Sequence, residues 1–196
     1  MEKILSALGF MSGTSGDGVD TSVINSNGKD IINIKYNRFD PYPTSLSNKI
    51  HRVKESISER QDLLRYSSDI EDLEIQITNF HADIANKLTK EINFDLIGFH
   101  GHTIYHNSSD KISKQIGHGI DLSKKTKKIV VYNFRQEDIK NGGEGAPLTP
   151  IYHLALIKEL FNENKVKIPI SILNIGGIAN ITEIDKDFKI TSRDIG

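Results

Sequence analysis

Two stretches of this chain set small, flexible residues between apolar runs of strand character, and that arrangement constrains the fold more than any other feature. Ile4 to Met11 is a short apolar-rich run, Ser12 to Gly18 a polar glycine loop, and Val19 to Asn25 alternates as a second strand. Asn27-Gly28 reads as a hairpin turn and Ile31 to Phe39 as a third strand, so a three-stranded antiparallel meander is expected at the start. Further along, Ile168 to Ile175 and Ile178 to Ile184 flank Gly176-Gly177 in the same outline, with a further strand at Phe188 to Thr191. Two such units, far apart in the chain, point to two related half-domains facing one another and not to a short-period repeat.

The intervening segment reads as mixed α/β. Thr44 to Ile57 has helical character, and Ser68 to Glu91 is a stronger helix, with Ile70, Leu73, Ile77, Phe80, Ile84 and Leu88 on one face and Ser68 as the expected N-cap. Asp95 to His100, Ile112 to Ile116 and Lys128 to Tyr132 read as strands, and Pro147 and Pro150 precede or open a helix over Leu148 to Phe161. Strand, polar corner and helix therefore alternate, as in α/β folds.

Composition excludes several functions. The 25 Lys+Arg against 26 Asp+Glu give a net charge of −1, which argues against a protein that coats nucleic acid. With no cysteine, disulfide scaffolds, thiol catalysis and thiolate zinc sites are excluded together. No apolar run approaches the roughly 20 residues of a membrane span. The opening residues Met1 to Ala7 reach Gly9 too soon for a secretory signal. The expectation is a cytoplasmic chain with no membrane partner.

Four constellations carry potential chemistry. In Ser12-Gly13-Thr14-Ser15-Gly16-Asp17-Gly18-Val19-Asp20, glycines let backbone N–H groups approach an anion, hydroxyls can donate to phosphate oxygens, and Asp17 or Asp20 can hold a hydrated magnesium. A plain hairpin turn is the competing reading. Asn174 to Asn180, around Gly176-Gly177, is either a tight turn or a second phosphate loop. In Phe134 to Pro147, Arg135 suits a carboxylate or phosphate and Asp138 is a candidate general base, against a solvated charged turn. Finally, His100 and His102 sit at i and i+2 of a strand, so both would face one way, and His106 could complete a zinc site. Substrate hydrogen bonding, or simple exposure, competes with that reading for these histidines and for His118.

Five ordered motifs carry a family resemblance. Met11 to Asp20 resembles the opening signature of the anhydro-N-acetylmuramic acid kinases, and Gly98 to His106 their G-x-H-G-Q-T-x-x-H segment. Gln115-Ile116-Gly117 is similar to their Q-I-G-D, Phe134 to Pro147 to their F-R-x-x-D…G-G-Q-G-A-P stretch, and Asn174 to Thr182 to their N-I-G-G-x-A-N-x-T.

The resemblance implies the two-domain fold of sugar kinases, actin and heat-shock ATPases (ribonuclease H-like), with residues 1–145 as the first domain and 146–196 as the opening, incomplete segment of the second. It implies a cytoplasmic enzyme of peptidoglycan recycling that uses ATP, Mg2+ and water to convert 1,6-anhydro-N-acetylmuramic acid to N-acetylmuramic acid 6-phosphate. Asp138 matches the base. Gly13, Thr14, Ser15, Gly16, Asp17, Gly18, Val19 and Asp20, with Gly176 and Gly177, match the ATP loops, Asp17 being the candidate magnesium residue. His100, His102 and Arg135 match sugar contacts.

Four positions depart from the family pattern. His102 replaces a glutamine, His118 and Asn133 replace aspartates, and Glu144 replaces a glutamine. Asp194-Ile195-Gly196 matches only the beginning of the family's D-T-G-P adenosine motif, so a second copy of the chain or a separate chain is expected to supply the remainder. A histidine-based metallohydrolase and a non-catalytic sugar-binding remnant are the alternatives.

Overall fold

The structure, a computed structural model of the chain, describes residues 3–107, 109–176 and 179–195. The expected meander is present: β1 (Leu5–Ser12), β2 (Gly18–Ser26) and β3 (Ile32–Pro41) pair antiparallel in sequence order. At the β2–β3 turn, the Asn27 side-chain oxygen accepts the N–H groups of Lys29, Asp30 and Ile31, which is how an asparagine substitutes for backbone partners in a turn.

Helix α1 (Thr44–Glu55) and the single turn α2 (Asp62–Arg65) lead into α3 (Ser67–Leu88). The apolar face expected for α3 is the buried one, with Ile70, Leu73, Ile77, Ile84 and Leu88 in the core and Phe80 packed at its edge. Each such side chain contributes about 1.5–3 kcal/mol on burial. The N-cap lies two residues earlier than expected, because Tyr66, at the end of α2, occupies it and leaves Ser68 inside the first turn, and the helix ends at Leu88 and not Glu91.

Strand β4 (Leu96–Asn107) is the spine of the sheet. One edge runs parallel to β1; the other is shared between β5 (Ile112–Ile116), antiparallel to its second half, and β6 (Ile129–Tyr132), parallel to its first half. The resulting six-stranded mixed sheet has the order β3-β2-β1-β4-β5, with β6 joined to β4. Between β5 and β6 lies α4 (Gly119–Thr126), and α5 (Phe134–Lys140) follows β6 directly. Sequence periodicity missed both helices, since seven or eight residues give too few turns for a repeating pattern.

Helix α6 (Pro150–Asn162) opens with Pro150 at its start, as expected, and packs against a second sheet of β7 (Ile170–Asn174), β8 (Asn180–Ile184) and β9 (Ile190–Asp194), antiparallel in that order. His153 of α6 and Thr182 of β8 are joined at 2.9 Å.

Candidate functional site

Three parallel strands, β1, β4 and β6, end on the same edge of the large sheet. In open α/β sheets ligands bind outside these carboxyl ends. Three of the four sequence constellations lie there: the Ser12–Gly18 loop after β1, His100-Gly101-His102 within β4, and Phe134–Pro147 after β6.

The glycine loop is a defined turn. Gly16 N–H donates to the Gly13 carbonyl at 3.1 Å, Ser15 Oγ donates to Asp17 Oδ1 at 2.6 Å, and Tyr42 N–H donates to the Asp17 carbonyl at 2.9 Å. Thr14, Ser15 and Asp17 are exposed, whereas Val19 is a core side chain and Asp20 lies on β2 opposite Met11.

Ser12 is buried at the base of the loop. Tyr42 Oη donates to Ser12 Oγ at 2.9 Å, and Ser12 Oγ lies 2.8 Å from His102 Nδ1. Tyr42, Ser12 and His102 thus form one buried chain of hydrogen bonds beneath the loop. Burial, reinforced by the positive charge of Lys54, pushes the His102 pKa down to about 4, and burial pushes the Tyr42 hydroxyl up to about 12. Both groups are neutral at pH 7. Sequence reasoning missed Ser12 and Tyr42 as a pair, because nothing local links residues of two different elements.

His100 turns the other way. Its Nε2 accepts from Arg135 Nε at 2.7 Å, and its Nδ1 lies 3.0 Å from the Gly101 carbonyl. A guanidinium can only donate, so His100 is neutral with its proton on Nδ1. Burial first, then the charge of Arg135, lowers its pKa to about 4.

The expectation that His100 and His102 share a face is therefore corrected, and the cause is Gly101. It has φ +73°, and a Cβ there would overlap the Ile116 carbonyl, so the strand's alternation breaks between the two histidines. His106 pairs with Ser113 Oγ at 3.1 Å on the hairpin, and His118 Nε2 pairs with Glu74 Oε2 at 3.1 Å. Five aromatic nitrogens thus have separate protein partners, and among the described residues no group of three or more His, Asp or Glu is placed to hold a metal ion. The histidine-based metallohydrolase reading loses its ligand set.

Helix α5 replaces the solvated turn considered for Phe134 to Pro147. Asn133, in the left-handed region at φ 66°, is its N-cap, a conformation that Asn and Asp both tolerate. Arg135 and Asp138, one turn apart, grip the same residue: Arg135 Nη1 donates to the Gly145 carbonyl at 2.7 Å, and Gly145 N–H donates to Asp138 Oδ2 at 2.8 Å. A Cβ on Gly143 would overlap the Asp138 carboxylate, so a larger residue there would push that carboxylate from its place against Gly145. Asp138 Oδ1 remains uncommitted among the described residues. Arg135 is half-buried, and the charge of Asp194 at the end of β9 opposes the lowering that burial imposes on it. Glu144, in the same loop, is exposed.

Residues 5–196 match the family model for anhydro-N-acetylmuramic acid kinase. The chain is 48% identical to the anhydro-N-acetylmuramic acid kinase of Pelagibacter ubique over 93% of its own length and 48% of the relative's. It is 33% identical to that of Rhizobium johnstonii over 100% of the chain and 53% of the relative, and 34% identical to that of Bradyrhizobium diazoefficiens over 98% and 53%.

The chain belongs to the anhydro-N-acetylmuramic acid kinase family. It spans about half the length of these curated relatives. Its mixed sheet with covering helices is that of a sugar kinase or actin-like ATPase domain. Relative to the kinase motifs, His118 faces α3 and not the Arg135 cluster, where Glu74 is bonded by both His118 and Lys114; an aspartate there would meet Glu74 as a like charge. The second glycine turn follows β7, where Gly176 is exposed; Gly177 lies outside the described residues. Among the described residues, no helix is long and apolar enough to cross a membrane.

Proposed function

We propose that the chain carries the sugar site and the first phosphate loop of a kinase acting on 1,6-anhydro-N-acetylmuramic acid. The product would be N-acetylmuramic acid 6-phosphate, formed in cytoplasmic peptidoglycan recycling. The observation that carries this reading is the convergence of the Ser12–Gly18 loop, His100 and the Arg135–Asp138 turn at the carboxyl ends of β1, β4 and β6. Residues 1–145 then form the first actin-like domain and residues 146–196 the opening of the second. The facing surface corresponds to the half of the relatives that these residues do not span.

In this reading Asp138 is the general base. Its Oδ1 takes a proton from water as the water oxygen bonds to the anomeric carbon; the bond from that carbon to O6 breaks, and O6 accepts the γ-phosphoryl group of ATP as ADP leaves. Gly145 N–H on Oδ2 holds the carboxylate in one orientation. Arg135, oriented by His100, presents its remaining guanidinium donors to the sugar, with His102 beneath the loop. In the loop from Gly13 to Gly18 the uncommitted backbone N–H groups face the phosphates, Val19 and Asp20 carry the loop into β2, and Gly176 and Gly177 close from the other side.

Magnesium supplies charge neutralisation at the phosphates. Asp17 fits that ion, because it is exposed and its Oδ2 is uncommitted among the described residues, and one carboxylate with phosphates and waters is a normal magnesium set. The test is phosphorylation of the anhydro sugar followed by mass spectrometry of the product, with the chain supplied alone and together with residues homologous to the second half of its relatives. Incorporation of water at the anomeric carbon and phosphate at O6 is expected in the combined sample. Sugar binding with no turnover in either sample would replace this reading with a non-catalytic sugar-binding role.

A further inference from the structure

One face of α1 is built against the glycine loop. Ser47, Ile50, His51 and Lys54 recur at helical spacing and all reach it: Ser47 Oγ donates to the Gly16 carbonyl at 2.8 Å, and Lys54 Nζ donates to the Thr14 carbonyl at 3.1 Å. Ile50 Cγ2 and His51 Nε2 stand 3.2 and 3.3 Å from where a Cβ on Gly16 would sit. Gly16 has φ +61°, so the loop at this point combines a left-handed turn with close approach by the helix.

The direction of these bonds matters. In a trans peptide the carbonyl and the next residue's N–H lie in one plane and point in opposite directions. Pinning the Thr14 carbonyl on Lys54 therefore aims the Ser15 N–H away from α1, and pinning the Gly16 carbonyl on Ser47 does the same for the Asp17 N–H. Neither of these N–H groups donates to a protein acceptor among the described residues. Two free donors on either side of the left-handed Gly16 are the arrangement from which backbone anion sites are made.

We propose that Lys54, assisted by Ser47, is the positioning residue of the phosphate loop. It bonds the loop's carbonyls from behind so that the Ser15 and Asp17 N–H groups are preset for phosphate, and its ammonium adds positive charge without itself contacting the anion. This inference rests on the phosphate-loop reading above and assigns a function to a residue outside the glycine motif. Arginine can replace lysine in this role, because it also donates to a carbonyl while keeping the charge; methionine keeps only the length.

The experiment uses the 196-residue chain labelled with 15N and titrated with inorganic tripolyphosphate in magnesium buffer. The Ser15 and Asp17 amide signals of the wild type are expected to move saturably. K54M should weaken that binding about tenfold, as loss of one charge-assisted hydrogen bond does, and S47A by a smaller factor. K54R should stay within about threefold of wild type. Amide hydrogen exchange without ligand is the independent readout: K54M should speed exchange at Gly16 and Tyr42, whose N–H groups are bonded to the loop's Gly13 and Asp17 carbonyls, and leave the β1 and β4 amides unchanged. Wild-type affinity and wild-type loop exchange in K54M would overturn the proposal. If the wild type binds no tripolyphosphate, the phosphate reading fails; faster loop exchange in K54M would then still support the clamp, and unchanged exchange would remove it too.

Discussion

Arg135 Nε donates to His100 Nε2 at 2.7 Å, so a guanidinium on α5 fixes both the charge and the tautomer of a histidine on β4. The pair ties β4 to the loop that Arg135 also holds through the Gly145 carbonyl. Replacing Arg135 with methionine removes the donor and the nearby positive charge together. The His100 pKa should then rise from about 4 toward its ordinary value, as read by NMR titration of its ring protons. Loss of two bonds to a charged, half-buried group should cost about 1.5–3 kcal/mol of stability by chemical denaturation. An unchanged His100 titration in R135M would show that burial alone holds the ring neutral.

Acid should destabilise the fold through three buried histidines. His81, His100 and His102 each have their pKa pushed down to about 4 from 6.5, chiefly by burial. Above pH 6.5 both folded and unfolded chains hold them neutral, and nothing is lost. Between pH 6.5 and 4 the unfolded chain takes up protons that the fold refuses, so stability falls as pH falls and levels off below about 4. Each histidine costs on the order of 3 kcal/mol across that window. Thermal midpoints should drop steeply between pH 6.5 and 4.5, and H102Q, which restores the family's glutamine, should flatten the curve. A midpoint constant between pH 7 and 5 would contradict the assignment.

Asp138→Asn and Gly143→Ala separate chemistry from loop shape. An asparagine carbonyl can still accept the Gly145 N–H that Asp138 Oδ2 accepts now, so D138N keeps the turn while removing the carboxylate proposed as the base. In the sample combined with residues homologous to the second half of its relatives, turnover should fall by at least ~10² with ATP affinity nearly unchanged. G143A drives a methyl into the carboxylate and should cost about 1–2 kcal/mol of stability in addition to activity. Near-normal turnover in D138N would remove Asp138 from the base role.

Much of this was legible in the sequence. The meander, the buried face of α3, β5, β6 and the proline start of α6 follow from local alternation and turn chemistry, and the glycine loop was identifiable as a close-approach site. What escaped was either short or tertiary. Helix α5 has seven residues, too few to show a period, and so Arg135 and Asp138 read as a charged turn. Gly101 looked like one glycine in a strand, yet its positive φ separates His100 from His102. Tyr42 with Ser12 and Lys54 with Thr14 are joined only when α1 and its leading turn fold back over β1, and nothing in the local pattern of either partner encodes that.

The chain on its own should show little or no kinase activity. Phosphoryl transfer is mostly positioning and electrostatic stabilisation, so both glycine loops must close on one nucleotide. The first loop is braced from behind by Tyr42, Ser47 and Lys54. The strand leading to the second exposes its apolar side chains, with Leu173 53% and Ile175 80% accessible, and the chain spans about half the length of its kinase relatives. Apolar groups left open on a three-stranded sheet favour association over a fixed geometry. Calorimetric titration with magnesium and a non-hydrolysable ATP analogue, alongside a coupled ADP-release assay with the anhydro sugar, checks this directly. The expected result is weak nucleotide binding and no sugar-dependent ADP release at any protein concentration where the chain is monomeric. Micromolar binding with sugar-dependent turnover by the monomer would refute it. Turnover that rises with the square of chain concentration would instead identify a second copy as the surface that closes the site.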